Sequence, residues 1–395
     1  MASPTLSRNI IIVSLTSLLT DVSTEMVYPL LPFFLVTQLG ARPATLGLIE
    51  GFAESLASLL RVFSGYWSDR LRRRKPLAIL GYAASTAGKL ALFLAQSWLW
   101  VLGGRLADRF GKGVRTAPRD ALIAESVAPE LRGRGFGFHR AMDTLGATIG
   151  VGLAYLLFTR THGNYRWLFL ASLIPAALGV MVLTGVRDVR RSEPPKPPEP
   201  LRPLRAWRSL PRRLKLFLLI VFFFTLGNSS NQFLLLRARS LGFSEATVIL
   251  LYLLYNLVYA AAAYPTGRLS DRVGRRGLLV AGYAAYGLTY LGFAVTPGPG
   301  PVWGLFAFYA LYMGLTEGVE KALVVDLAPR ELWGTMLGLH ATLVGIGLLP
   351  ASLLAGALWD LIGPAAPFYF GGALGLLAAL GMWLIAGTPT APAAK

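Results

Sequence analysis

Apolar runs of about twenty residues, the length that crosses a bilayer core as an α-helix, recur along the whole chain. They fall near 9–36, 44–66, 76–97, 99–123, 138–159, 165–186, 214–237, 246–267, 278–297, 301–326, 336–358 and 365–387. None alternates apolar and polar positions as a strand does. Only a helix satisfies its own backbone groups in lipid at this length. The pattern therefore predicts an all-α membrane protein of twelve transmembrane helices. Trp98, Trp100, Trp167, Trp303 and Trp333 stand near the run ends, where indole rings anchor at the bilayer interface. The proline-dense stretch RRSEPPKPPEPLRPLRAWRSLPRR separates the sixth run from the seventh. Its first half reads as extended linker. Its second half, around Trp207, reads as a short basic segment on the lipid surface. The organisation predicted is a six-helix bundle at 1–190, a Pro/Arg-rich cytoplasmic linker at 191–213 and a second six-helix bundle at 214–395.

Composition agrees: 54% of residues are hydrophobic and 15% charged, against about 25% charged in soluble domains. The net charge of +18 is not spread evenly. Arg70, Arg72, Arg73, Arg74 and Lys75 form one cluster, 187–215 holds a second, and Arg272, Arg275 and Arg276 form a third. All lie between runs on one side, and the opposite gaps are nearly empty of bases. This is the positive-inside asymmetry. It places both termini in the cytoplasm of a multi-pass inner-membrane protein, and it accounts for the basic balance without nucleic acid. The chain has no cysteine, hence no disulfide, thiolate metal site or cysteine nucleophile. The first run follows a single base, Arg8, and is too long for a signal-peptide core, so it reads as a span.

The two halves repeat each other. SDRLRRRKPLAILGYAA from Ser68 matches SDRVGRRGLLVAGYAA from Ser270, and APELRGRGFGFH from Ala128 matches APRELWGTMLGLH from Ala328. The matches follow spans two and eight, then four and ten, so the bundles are pseudosymmetric. With these residues in view, the chain resembles the major facilitator superfamily over its whole length. Gly267-Arg-Leu-Ser-Asp271-Arg272-Val-Gly274-Arg275-Arg276 matches that family's signature loop. The first copy, from Gly65 through Asp69 and Arg70 to Arg74, departs only where Arg72 replaces the second glycine. Arg109, Lys112 and Gly113 resemble its span-four motif, in which the arginine is implied to help proton transfer. Gly146, Gly150 and Gly152 match part of the antiporter motif of span five, without its proline. The resemblance implies a transporter of the proton-coupled, drug-exporter-like branch, working by rocker-switch alternating access. In that reading Gly65, Asp69, Arg70, Gly267, Asp271 and Arg272 form gating latches at the cytoplasmic ends.

A charge at the bilayer centre costs about 2.5–3.5 kcal/mol on insertion scales and usually faces a cavity. Asp21 and Glu25 are four apart and share one helix face, as do Glu50 and Glu54. Lys89 lies mid-span. Span four carries Arg105, Asp108, Arg109, Lys112, Arg115, Arg119 and Asp120. The second half places Asn228 and Gln232 over the first acids and Asn256 over Glu54. Shape and hydrogen bonding are kept there while the titratable proton is lost. Protonation chemistry is therefore expected in the first half, on Asp21, Glu25, Glu54 and Arg109. Glu50, Lys89, Asp108, Lys112, Arg115, Asn228, Gln232, Tyr252, Tyr255, Asn256 and Glu317 are expected to line the cavity, with Tyr259 beside them. The competing reading is a static salt-bridge network that fixes helix packing. Glu320 and Lys321, in register with Arg119 and Asp120, are expected as gate ion pairs facing the adjoining repeat. Pro29 and Pro32 are expected to interrupt span one. Met26, His139, Met142 and Asp143 are weaker candidates for a metal site, although His340 matches His139 in the other half and suggests a structural role.

A group that alternates between a buried setting and an arginine neighbour can take up a proton on one side and release it on the other. The function expected is proton-coupled transport of a small lipophilic or cationic solute, as export. The alternatives are an organic anion, favoured by the bases of span four, or a divalent metal. No cofactor beyond the coupling proton is called for. The partners expected are the bilayer and a small molecule or ion, with the chain acting as a monomer. HExxH, GxSxG and P-loop patterns are missing from the sequence, which argues against an enzyme.

Overall fold

The computed structural model describes residues 7–71, 74–127, 131–187, 210–328 and 332–386. Among them the secondary structure is entirely helical, and twelve spans cross in order. They are α1 (Arg8–Gln38), α2 (Pro43–Leu71), α3 (Arg74–Phe93), α4 (Trp98–Glu125), α5 (Arg132–Arg160) and α6 (Tyr165–Leu183). The second six are α7 (Arg212–Ser240), α8 (Glu245–Val273), α9 (Arg275–Val295), α10 (Val302–Leu327), α11 (Trp333–Leu361) and α12 (Ala366–Ala386). Ten are apolar enough to cross a membrane on composition alone. The two that are not, α2 and α4, carry the acids and bases described below. Most of the expected linker lies outside the described residues, and α7 starts at Arg212, inside the stretch expected to be linker.

Two spans are broken. In α1, Pro29 and Pro32 remove backbone donors, and the helix tightens into a 3₁₀ turn at Tyr28–Leu30 before widening at Phe34–Gln38. In α7 the helix stops at Gly227 and resumes at Gln232. Tyr286 donates to the freed carbonyl of Gly227 at 2.7 Å. The stretches read from the sequence as loops after spans two and eight are helical for most of their length. Helix continues through Leu71 in α2 and Val273 in α8, and the chain turns at Gly274, whose φ of 91° favours glycine. The side chains of Asp69, Arg70 and Asp271, and position 267, lie outside those described, as does Arg72.

Helices α1 to α6 pack together, and so do α7 to α12. The halves meet chiefly through α2 against α11 and α5 against α8. The turns after α2, α4, α8 and α10 share one side, here the basic side, and the turns after α1, α3, α5, α7, α9 and α11 share the far side. Toward the far side the halves are closed. Gly47, Gly51 and Ser55 form a small-residue stripe on α2 that lets α11 approach closely. A Cβ at Gly47 would run into the Ser352 carbonyl, and one at Gly51 would press on Leu349. Ser55 donates to the Gly345 carbonyl at 2.6 Å, Asp360 accepts from the Ala44 amide at 3.3 Å, and Tyr165 donates to Glu245. Tyr28 packs against Tyr252 at 5.5 Å between centroids.

Candidate functional site

Before its break, α1 presents Asp21, Thr24, Glu25 and Tyr28 to the centre of the molecule. Gly146 and Gly150 let α5 press on the backbone of α1 at Leu18 and Val22 and so fix that face. Opposite stands α4, with Asp108, Arg109, Lys112 and Arg115. Between them lie two chambers sharing Asp21, Glu25, Lys112 and Arg115. The inner one, of 180 Å³, is completed by Glu54 and Tyr252. The outer one, of 440 Å³, continues past Arg61, Asn256, Tyr259 and Glu317 to Arg119, Asp120, Arg140, Asp143 and Lys321. Arg61, Arg140 and Lys321 are exposed, so the outer chamber opens toward the basic side.

Pairing separates these charges into two kinds. Glu50, fully buried, takes Arg105 in a two-pronged ion pair at 2.7 and 2.8 Å. Ser230 of the other half reaches Glu50 at 3.4 Å. Asp108 lies 3.4 Å from both Arg105 and Arg109, and Arg109 lies 3.4 Å from Glu54. These residues form a closed net on α2 and α4. Asp21 and Glu25 make no ion pair with a described residue, and Glu25 Oε2 is buried without a hydrogen-bond partner. Across from them, Lys112 and Arg61 make no ion pair with a described residue either. Arg115 donates to Ser85 and stacks over Tyr82 at 4.6 Å. Lys321 adds a further unpaired cation at the mouth. The site thus holds unpaired acids and unpaired bases facing one space.

Several expected residues stand elsewhere. Glu50 does not line either chamber, because Arg105 encloses it. Lys89 is buried behind the site and donates to the Thr20 carbonyl at 3.4 Å. Asn228 donates to Tyr312 at 3.1 Å, Gln232 is fully buried, and Tyr255 is stacked between Tyr252 and Tyr259, so these three miss the wall. Glu320 faces away from the adjoining repeat, because it accepts from Tyr283 at 2.9 Å and lies 3.4 Å from His340. Arg119 pairs with its neighbour Asp120 at 2.8 Å, and does not cross between halves. Arg272 is exposed at the end of α8. Among the metal candidates, Met26 sits in the apolar core and His139 meets only Asp143, at 3.6 Å. No three His, Asp or Glu side chains gather among the described residues.

Arg140 was not legible as a site residue. It donates to Tyr259 at 2.6 Å and lies 3.6 Å from Glu317, joining the halves on the basic side. Tyr28 was also missed, though its position one turn beyond Glu25 could have flagged it.

A family model described as Major Facilitator Superfamily matches residues 13–237 and 216–395. An uncharacterised MFS-type transporter of Methanocaldococcus jannaschii is 40% identical over 381 residues, 95% of this chain and 94% of that one. The multidrug resistance protein MdtH of Salmonella newport is 26% identical over 90% of this chain and 89% of its own. Among solved structures, the POT family transporter PepTSo superposes with a TM-score of 0.79 at 14% identity, over 97% of this chain and 98% of that one. The last shows the likeness of fold alone.

Proposed function

The chain belongs to the major facilitator superfamily, and from that premise we propose a proton-coupled transporter for a small solute bearing an anionic group. The observation that carries this reading is the pairing pattern. Glu50, Glu54 and Asp108 are ion-paired to Arg105 and Arg109, three acids sharing two guanidinium groups. Asp21 and Glu25 are left to hold protons, and Lys112, Arg115, Arg61 and Lys321 are left to meet a solute. With both acids ionised, they compete with the solute for Lys112 and Arg115. With both protonated, the cations are released to an anion. Each proton bound therefore favours the anion, and by linkage each anion bound favours the proton. Solute and proton travel together.

The geometry also suits alternating access. The small-residue contact of α2 with α11 closes the far side, while the cavity opens on the basic side. The bias of arginines and lysines supports a cytoplasmic assignment for that side, with the termini there too. The sequence favoured a lipophilic or cationic solute, but among the described residues four cations without an ion pair, Lys112, Arg115, Arg61 and Lys321, face three acids without an arginine or lysine partner, Asp21, Glu25 and Asp143, and that excess supports the opposite sign. Exchange of a cation for protons, as export, is the second reading. It is supported by the name of the Salmonella relative and by the same two acids.

A melting-temperature screen of the purified protein tests this, using organic acids, cationic dyes, sugars and divalent metals at one acidic and one alkaline pH. An organic acid should stabilise the protein, and more strongly at acidic pH. A free charge about 8 Å away contributes about 2 kcal/mol at an effective dielectric constant of 20, so the affinity change should be about thirtyfold. A cationic dye that stabilises more at alkaline pH would replace the anion reading with the exchange reading.

A further inference from the structure

A cavity of 680 Å³ lies away from the transport site, at the basic ends of α7, α8–α9 and α10. Four arginines line it: Arg212 and Arg213 at the start of α7, and Arg275 and Arg276 at the start of α9. Among the described lining residues the acid is Asp326, already joined to Arg275. Arg275 also donates to the Ala322 carbonyl at 2.7 Å. Arg212 and Arg276 make no hydrogen bond or ion pair with any described residue. The remaining walls are apolar, with Leu323 and Leu327 inside and Val273 at the rim. Val273 and Leu269, on the last turns of α8, are 63% and 41% exposed and continue the apolar surface of the span away from the cavity.

Internal symmetry shows that this excess of charge is not required by the fold. Aligned through Tyr82 and Tyr283, Arg74 corresponds to Arg275, Lys75 to Arg276 and Glu125 to Asp326. In the first half Arg74 makes a two-pronged pair with Glu125, its Nε at 3.0 and 2.9 Å and its Nη2 at 2.8 Å. Lys75 donates to the Thr184 carbonyl at 2.7 Å. The bases there are satisfied by the protein itself. In the second half the same frame leaves Arg276 without a partner among the described residues and adds Arg212. The positive-inside bias accounts for bases at this end of the helices, but not for a cavity that gathers them against apolar walls.

We propose that this cavity binds the headgroup of an anionic phospholipid, with its phosphate on Arg212 and Arg276 and its acyl chains along Leu269 and Val273. Guanidinium groups match phosphate oxygens in pairs of hydrogen bonds. Basic pockets between spans at the cytoplasmic face suit such headgroups, and each base near the surface is worth about 1 kcal/mol. The cavity lies at the level where span ends meet headgroups, which favours a lipid over a soluble phosphate.

The test is native mass spectrometry of the full chain in detergent, titrated in separate arms with cardiolipin, phosphatidylglycerol, phosphatidylcholine and inorganic phosphate. Cardiolipin or phosphatidylglycerol should bind, and phosphatidylcholine and inorganic phosphate should not. Arg212→Gln with Arg276→Gln should weaken anionic lipid binding about thirtyfold, as expected for two bases at about 1 kcal/mol each. Asp326→Asn should strengthen it, because it frees Arg275. Equal binding of phosphatidylcholine, or unchanged anionic lipid binding in the double arginine variant, would overturn the proposal. Binding of inorganic phosphate at the same strength would assign the cavity to a soluble anion instead. Melting curves of each variant separate lost binding from lost folding.

Discussion

Replacing both unpaired acids, Asp21→Asn with Glu25→Gln, is expected to abolish accumulation driven by a pH gradient while leaving solute exchange between equal pH values intact. Neither acid is held in an ion pair, so the amides keep the shape and polarity of the wall. Both bases opposite remain available to the solute at every pH. Each pH unit stores about 1.4 kcal/mol per proton carried, worth about tenfold in accumulation. A carrier that binds no proton cannot draw on it. Proteoliposomes loaded at one pH and diluted into another, with the solute found in the melting-temperature screen, measure this directly. The variant should equilibrate the solute and never concentrate it, and its solute affinity should lose its dependence on pH. Accumulation equal to that of the unaltered protein would mean that the coupling protons sit elsewhere.

The second large effect is on stability. Glu50→Gln takes from buried Arg105 the carboxylate that meets it at 2.7 and 2.8 Å and leaves it only the longer contacts to Asp108 at 3.4 Å and Glu54 at 3.9 Å. Breaking a buried pair by removing one partner costs about 3–5 kcal/mol. Replacing both members with apolar residues of similar size, Glu50→Leu with Arg105→Met, removes the arginine together with its closest carboxylate and should recover most of that loss. The melting temperature in detergent should therefore fall sharply in the single variant and return in the double. A single variant that melts like the unaltered protein would show that the pair is not structural, and would return Glu50 to the candidates for coupling.

These two predictions rest on a division among acids that the sequence does not display. Glu50 and Glu54 share a helix face, and so do Asp21 and Glu25, so spacing alone treats all four alike. What separates them is the partner across the gap. Arg105 and Arg109 reach α2, while Lys112 and Arg115, one and two turns further along α4, face α1. That outcome depends on how α4 is rotated against two neighbours at once, which no local pattern encodes. The same limit explains Asn228 and Gln232. Their register with Asp21 and Glu25 was legible, but the break in α7 turns Asn228 toward Tyr312 and leaves Gln232 fully buried, away from the chambers. The spans were legible, because twenty apolar residues in lipid leave one solution. So was the repeat. The signature stretch at Gly267 to Arg276 was misread as loop because charge and glycine outweighed the helical continuation through Val273. Arg140 went unnoticed because its partners, Tyr259 and Glu317, belong to the other half.

Central to the account is that Asp21 and Glu25 face the cavity and can carry protons, while Glu50, Glu54 and Asp108 are ion-paired with arginine. A hydrophobic carbodiimide reacts with protonated carboxyl groups, and peptide mass spectrometry reports which ones. Treated across a range of pH, the protein is predicted to be labelled at Asp21 and Glu25, increasingly as pH falls, with Glu50, Glu54 and Asp108 spared. Labelling of the arginine-paired acids in their place, or no labelling of the α1 acids at any pH that keeps the protein folded, would contradict it.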